Sequence, residues 1–240
     1  YRENKRGNIM LVYGKNSCEE ILKQEKNIKR VYLERNFKDR VITDLIEKLK
    51  IKPIFLTKYE LDDLCEGNHQ GIVIEALEYE YADIDEIINE NGFIVMLDHL
   101  EDTHNFGAII RTCEAAGVDG IIIPKDRSVS VNSTVMKTSS GAAVNVKICM
   151  VTNLVQTINY LKEKGYWIYA SSMDGTNYTN EDYKTSTCII IGNEGKGVSE
   201  LVKKSADFIV SIPMIGKINS LNASVAAGIF IYEVVRQRSN

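Results

Sequence analysis

Three polar loops in the second half of the chain carry the side chains best suited to chemistry. The first follows the apolar run Phe93–Leu97 and contains Asn105 and, six residues later, Arg111. The asparagine predicts an N-cap for a helix over Asn105–Ala116, and the long arginine side chain can reach back toward the strand ends. A helix cap and a surface ion pair explain either residue taken alone, so neither indicates function by itself.

The second loop, Gly192–Gly197, follows another apolar run and places three glycines around Glu194. Glycine lets the backbone approach a ligand closely. The spacing is not the dinucleotide pattern G-x-G-x-x-G, and it is not a Walker loop, because Lys196 is followed by glycine rather than by Ser or Thr. A carboxylate repels phosphate, so Glu194 favours a ligand with hydroxyl groups or cationic character.

The third loop runs from Pro213 to Asn222 and precedes a long helix predicted over Ala223–Arg238. Either Ser220 or Asn222 is expected to cap that helix. Small side chains at its start would let another helix pack closely, within the chain or in a subunit interface. These side chains belong to Ala223, Ala226 and Ala227.

Alternating strand and helix patterns position these loops. Apolar runs typical of buried parallel strands alternate with helical patterns such as Thr152–Lys164, which predicts a parallel sheet covered on both faces. The predicted strands are Phe93–Leu97, Gly120–Ile123, Val144–Met150, Tyr166–Ala170, Thr187–Ile191 and Phe208–Ile212. Ligands of open α/β sheets bind outside the carboxyl ends of the strands, which is where the three loops begin.

The first eighty residues predict a separate and smaller α/β domain. Its expected strands are Ile28–Leu33, Pro53–Leu56 and Gly71–Ala76, and its expected helices are Asp39–Lys50 and a short one capped by Thr57 that ends at Leu64. An acidic segment with a turn at Asn91-Gly92 follows. We therefore expect one domain over residues 1–80, a linker over 81–91 with a short helix at Asp83–Asn89, and a second domain over 92–240.

Composition excludes several classes of protein. The 240 residues are 44% hydrophobic and 26% charged, no apolar run reaches membrane-spanning length, and the polar start Tyr1–Gly7 does not resemble a secretory signal. A net charge of −4 argues against binding nucleic acid by bulk charge alone. Contacts with a nucleic acid would need local patches, and the candidates are Lys26, Lys29 and Arg30, or Arg236 and Arg238.

Neither a disulfide framework nor a metal site is expected. The five cysteines are scattered, odd in number and never spaced C-x-x-C, a pattern typical of reduced thiols in a cytosolic protein. His99 and His104, with Asp98 and Asp102 beside them, match no zinc-binding spacing. His69 is expected to be an ordinary turn histidine.

Taken together, the three loops resemble motifs 1, 2 and 3 of the SpoU class of SPOUT methyltransferases. The matching residues are Asn105 and Arg111 in the first loop, Ile191–Gly195 in the second, and the stretches Ile212–Met214 and Asn219–Ala226 in the third. The unit that ends in Asn68–Val73 is similar to the ribosomal-protein-like substrate domain of the rRNA ribose methyltransferases in this class. One departure is Thr103, where the family often has proline.

The resemblance implies a deep trefoil knot in the second domain, a homodimer built through the C-terminal helix and the knot region, and S-adenosylmethionine bound bent in the knot. It assigns cofactor binding to Gly192, Gly195, Ile212 and Leu221, and catalysis to Asn105, Arg111, Glu194, Ser220 and Asn222. The implied reaction is methyl transfer to a ribose 2′-hydroxyl of RNA, most like that of enzymes acting on a guanosine of 23S rRNA.

Several alternatives remain open at this stage. The substrate can be tRNA, the enzyme can be an antibiotic-resistance rRNA methyltransferase, or the chain can be an RNA-binding protein that kept the fold without catalysis. The family implicates Arg111 in activating the hydroxyl, yet guanidinium is almost never deprotonated in proteins. Arg111 is therefore either an unusual base or, the reading we favour, an electrostatic stabiliser of the developing alkoxide or a ligand of the adjacent phosphate.

Overall fold

A computed structural model describes residues 9–25, 27–218 and 220–239. It divides into two compact units: one runs through Glu80 and also includes Val131–Asn145, and the other comprises Tyr81–Ser130 and the chain from Val146 onward. The sequence did not predict that Val131–Asn145 groups with the first unit, and the expected domain boundaries stay a prediction. The start Tyr1–Gly7 and the patch residue Lys26 lie outside the described residues.

The first unit is built on a four-stranded sheet in the order β1-β4-β2-β3. The order along the chain is β1 Ile9–Tyr13, α1 Lys15–Gln24, β2 Ile28–Glu34, α2 Arg40–Lys48, β3 Ile54–Leu56, α3 Lys58–Leu64, β4 Ile72–Leu77 and α5 Ser133–Thr138. Strand β4 is antiparallel to both β1 and β2, whereas β2 and β3 are parallel. The sequence predicted neither β1 nor α1, because α1 has few apolar positions at helical spacing.

Local capping explains two helix starts in this unit. Asp39 accepts a hydrogen bond from the amide of Ile42, and Thr57 forms a capping box with Glu60, as predicted for the threonine. His69 is a buried turn residue, as expected. Its Nδ1 accepts the amide of Gly71 at 2.9 Å, and its Nε2 lies 3.0 Å from a carboxylate oxygen of Asp62.

The second unit contains a six-stranded sheet in the order β10-β8-β9-β5-β6-β7. Its elements are β5 Phe93–Asp98, α4 Thr103–Ala115, β6 Gly120–Pro124, β7 Ile148–Val151, α6 Leu154–Glu163, β8 Trp167–Asn177, β9 Thr187–Gly192, α7 Glu200–Ser205, β10 Phe208–Ser211 and α8 Ala223–Arg238. Every neighbouring pair is parallel, so the predicted parallel sheet is confirmed.

Several boundaries in this unit differ from the predictions. A strand was expected over Val144–Met150, but Ala142–Val144 is a 3-10 turn and β7 begins only at Ile148. The short helix expected before the sheet is the 3-10 turn Ile84–Glu86. Strand β8 continues seven residues past Ala170. The end of this extension pairs with β10 after a register shift.

Two of the three small residues at the start of helix α8 face inward, whereas Ala226 is partly exposed. Ala223 and Ala227 are 5% and 0% exposed, so they face the core of their own unit rather than a partner. Among the described residues, no helix combines the length and the apolar character needed to cross a membrane.

Candidate active site

The two central strands bring the first two loops together. Strands β5 and β9 are adjacent and parallel, all six residues of each are buried, and their last residues, Asp98 and Gly192, are register partners. Parallel neighbours end at the same edge of a sheet, so the segments that follow them begin side by side. The loop after β5 leads into α4, and the loop after β9 leads into α7.

The start of α4 corrects the role predicted for Asn105. The N-cap is Asp102, whose carboxylate accepts the backbone amide of Asn105 at 2.7 Å, and the helix begins at Thr103. Asn105 is the third residue of the helix, so its side chain is not occupied by capping. Its amide group donates to the Glu194 carboxylate.

Asn222 completes a chain of three polar side chains. It caps α8, because its Oδ1 accepts the amides of Ser224 at 3.0 Å and Val225 at 3.3 Å. Its Nδ2 then donates to Oδ1 of Asn105 at 2.9 Å, and Asn105 in turn donates to Glu194. Each amide is both donor and acceptor, so the chain fixes the orientation of the carboxylate. One residue from each of the three predicted loops takes part.

The loop after β9 is a tight turn that requires glycine at its base. The backbones of Asn193 and Gly197 exchange two hydrogen bonds of 3.2 and 2.8 Å, and the Asn193 side chain accepts the amide of Gly195 at 2.9 Å. A Cβ on Gly192 would lie 2.1 Å from the carbonyl carbon of Gly197. Gly197 itself has φ +67°, a conformation that favours glycine.

A cavity of about 590 Å³ opens beside these loops, within the usual size range of small-molecule sites. All four residues predicted to bind a cofactor, together with Glu194 and Ser220 from the catalytic set, line it. The lining residues are Ser171–Asp174, Ile191–Val198, Lys203, Ile212, Met214, Ser220, Leu221, Ala223, Ala226 and Phe230. The binding roles stay predictions.

The wall formed by Ser171–Asp174 was missed by sequence reasoning, since β8 was expected to end at Ala170. The Ser172 hydroxyl donates to the Asp174 carboxylate, and this hydrogen bond lowers the pKa of Asp174. A hydrogen bond from Lys203 to Glu200, 2.9 Å long, raises the pKa of that lysine. Asp174 and Lys203 therefore present a carboxylate and an ammonium group to the cavity, which suits a ligand that carries both charges.

Arg111 does not line this cavity. It is exposed on α4 and is not among the described residues that line the cavity. The structure therefore brings together Asn105, Glu194 and Asn222 directly, and it leaves Arg111 on a solvent-facing surface.

The two residues of one predicted contact patch, Arg236 and Arg238, have other roles in the structure. Arg236 forms a bidentate pair with Glu233, and Arg238 donates to four backbone carbonyls, among them that of Tyr183 at 2.9 Å. Both therefore stabilise the unit. No group of three His, Cys, Asp or Glu residues in the described part of the chain is arranged to hold a metal. All five cysteines are buried, and burial raises the pKa of the Cys188 thiol, which makes it a poor nucleophile.

Because Asn105 donates a hydrogen bond to Glu194, we expect the effects of substituting these two residues on kcat to be non-additive. We expect Asn105→Ala and Glu194→Ala each to lower kcat by about ten- to a thousandfold. The double variant should be scarcely worse than the poorer single variant, because each substitution already breaks the shared bond. The measurement is the steady-state rate of the parent protein, the two single variants and the double variant. Losses that simply multiply would show that the two side chains act independently.

Comparisons with known proteins agree on one family. Residues 92–232 match the family model described as the SpoU rRNA Methylase family, and residues 11–82 match the one described as RNA 2′-O ribose methyltransferase substrate binding. The chain is 40% identical, over 95% of its length and 96% of the relative's, to a Staphylococcus haemolyticus protein that carries the name TrmH family tRNA/rRNA methyltransferase.

Solved structures share the fold. The SpoU methyltransferase AviRb of Streptomyces viridochromogenes, crystallised with AdoMet, superposes with a TM-score of 0.85 at 24% identity and covers 99% of this chain and 94% of its own. The TrmH/SpoU tRNA modifying enzyme of A. aeolicus is 34% identical, with a TM-score of 0.57, and covers 64% of this chain and 78% of its own.

Proposed function

The chain belongs to the SpoU rRNA Methylase family and is an S-adenosylmethionine-dependent RNA 2′-O-ribose methyltransferase; from this premise we propose that it methylates a guanosine of large-subunit rRNA. The observation that carries methyl transfer at this site is the hydrogen-bonded chain from Asn222 through Asn105 to Glu194, whose carboxylate group lies on a residue that lines the cavity. We place the reaction in the cytoplasm, where free and buried thiols such as these are typical.

The cavity fits S-adenosylmethionine by the chemistry of its walls. At the glycines of the loop from Gly192 to Gly197, no side chain separates the backbone from the cavity. Ile212 and Leu221 supply apolar surface. Asp174 and Lys203 offer one group of each charge to a ligand that carries an ammonium and a carboxylate. The cofactor supplies an electrophilic methyl group on a sulfonium, so the protein's tasks are positioning and handling of the hydroxyl proton.

The roles of the polar side chains follow from their contacts. Asn222 holds Asn105, and Asn105 holds one oxygen of the Glu194 carboxylate, so the carboxylate is preorganised before substrate arrives. We assign Glu194 and Ser220 to orient the ribose. We assign Arg111 to the RNA side, where its permanent positive charge stabilises the developing alkoxide or binds the adjacent phosphate.

The choice of rRNA over tRNA rests on the first unit. It matches a substrate-binding family over residues 11–82, and the A. aeolicus tRNA modifying enzyme covers only 64% of this chain. The test is methyl transfer from labelled S-adenosylmethionine to unmodified large-subunit rRNA, small-subunit rRNA and bulk tRNA in parallel. The proposal expects label in large-subunit rRNA alone, and label in tRNA would contradict it.

We also propose a homodimer through α8, and a deep trefoil knot that includes the second and third loops. The outer face of α8 supports the dimer: Val225 and Tyr232 are 51% and 50% exposed, and a Cβ at Gly228 would meet nothing within 4 Å. These positions are three or four residues apart, so they form one stripe along the helix. An exposed apolar stripe of this kind is typical of a protein interface.

A charge placed on that stripe should separate the protomers. We expect Tyr232→Glu to raise the dimer dissociation constant by about 30-fold or more, because it buries a carboxylate in an apolar contact. Light scattering after size exclusion measures the mass. Tyr59→Glu is the matched control, since Tyr59 is 83% exposed in the first unit and the same change there should leave the mass unaltered. A Tyr232→Glu protein with the mass of the parent would exclude this interface.

A further inference from the structure

The loop from Asn193 to Ser199 lines the cavity with its residues up to Val198, but its internal turn does not fix it to the sheet. The two backbone bonds between Asn193 and Gly197 close the turn on itself. Apart from the bond between Glu194 and Asn105 and the buried side chain of Val198, its attachments are at its ends, where it follows Gly192 and where it enters α7 at Ser199. A bond that anchors the Ser199 end therefore helps to fix the position of the loop.

Asp98 provides that anchor. It is the last residue of β5, it is 1% exposed, and its Oδ2 accepts the backbone amide of Ser199 at 2.6 Å. Burying a carboxylate is costly unless it is hydrogen-bonded, and a charged acceptor binds a backbone amide more tightly than a neutral one. A carboxylate at this place is thus suited to holding a loop rather than to packing.

His99 extends the anchor to the other end of the loop. Its Nδ1 lies 2.5 Å from Oδ1 of Asp98, and its backbone has φ +56°, which non-glycine residues rarely adopt. In that conformation its carbonyl accepts Nδ2 of Asn193 at 3.0 Å. The pair Asp98–His99 therefore binds the loop at Asn193 and at Ser199, on both sides of the lining residues Glu194–Val198.

We propose that Asp98 is a positioning residue that holds the cofactor loop in its binding conformation through Ser199 and, by way of His99, through Asn193. The proposal rests on the cavity being the S-adenosylmethionine site. Asp98 is not among the residues that line the cavity, so its effect on the cofactor is transmitted through the loop. Its loss should weaken cofactor binding more than it slows the chemical step.

Asp119 offers a matched control within the same sheet. Its Oδ2 accepts the backbone amide of Phe93 at 2.6 Å and its Oδ1 accepts the Asn89 side chain at 2.7 Å. It thus makes the same kind of bond as Asp98, but at the amino end of β5, about 16 Å from Asp98 along the strand. Asp119→Asn should lower the Tm and leave cofactor affinity unchanged.

The experiment measures the Kd of S-adenosylmethionine by calorimetry and kcat at saturating cofactor for full-length Asp98→Asn and Asp119→Asn. We expect Asp98→Asn to raise the Kd about tenfold, with a much smaller change in kcat, and to accelerate amide hydrogen exchange at Gly195 and Gly197. An unchanged Kd with a Tm loss equal to that of Asp119→Asn would make Asp98 merely structural and overturn the proposal.

A second pair of variants covers the case in which Asp98→Asn does not fold. Ser199→Pro removes the amide hydrogen that Asp98 accepts, and the φ of −64° at Ser199 suits proline. Ser199→Ala keeps that amide. The proposal expects weaker binding with proline but not with alanine, and equal affinities would contradict it. If the parent protein bound no S-adenosylmethionine, the proposed cavity would be wrong, whereas hydrogen exchange would still report on the anchor.

Discussion

Replacing Arg111 by alanine should lower kcat for methyl transfer by about a hundred- to a thousandfold while the Kd of S-adenosylmethionine stays unchanged. The reason is its position: Arg111 is exposed on α4 and is not among the described residues that line the cavity. An interaction made only with the substrate in the transition state lowers kcat when it is lost and leaves cofactor binding intact.

Lysine at the same position separates charge from shape. Arg111→Lys keeps a positive charge but loses the planar, bidentate donor group, so we expect it to recover part of the rate and no more. Arg127→Ala, an exposed arginine of the same unit, is the control and should keep the parent kcat. Near-normal rates for Arg111→Lys would show that charge alone suffices. A weaker cofactor affinity in Arg111→Ala would place Arg111 in the cofactor site instead.

Gly192→Ala should weaken S-adenosylmethionine binding by about a hundredfold or more. The added Cβ would lie 2.1 Å from the carbonyl carbon of Gly197 and 2.2 Å from the amide nitrogen of Val198. Both are backbone atoms of the turn, so no side-chain rotation relieves the clash, and the turn that lines the cavity must move. Calorimetric titration with the cofactor measures the effect.

Gly120→Ala is the control for a steric clash that lies elsewhere in the sheet. Its Cβ would lie 2.4 Å from a side-chain carbon of Ile87, at the amino end of β6. We expect a lower Tm and an unchanged Kd from this variant. Parent-like affinity in Gly192→Ala would mean that the turn is free to shift, and the argument that glycine is required at its base would fail.

The positions of the three loops could be predicted because buried parallel strands have a clear signature and their carboxyl ends share an edge. The detailed role of Asn105 could not. Asp102 and Asn105 lie within one helical turn, and both are good N-caps. Which of them caps α4 depends on where the chain leaves the segment after β5, and this is decided by tertiary contacts. The structure gives the cap to Asp102, which leaves Asn105 available for Glu194.

The wall of the cavity formed by Ser171–Asp174 could not be predicted from the sequence, for a different reason. After Ala170 the sequence turns polar, and the run from Ser171 to Asp174 resembles a loop. The strand continues there because β10 pairs with it after a register shift between Ile209 and Val210. Pairing between strands distant in sequence is not visible in local periodicity. Asp98 is marked in the sequence only by the neighbouring histidines, because its burial and its bond to Ser199 depend on tertiary structure.

The most direct test of the central claim is the chemical position of the transferred methyl group. Large-subunit rRNA methylated with labelled S-adenosylmethionine is hydrolysed in alkali, which cleaves RNA only next to a free 2′-hydroxyl. The account predicts that the label remains in an alkali-stable dinucleotide and, after enzymatic digestion, in 2′-O-methylguanosine. Label recovered in a nucleoside methylated on its base would contradict it.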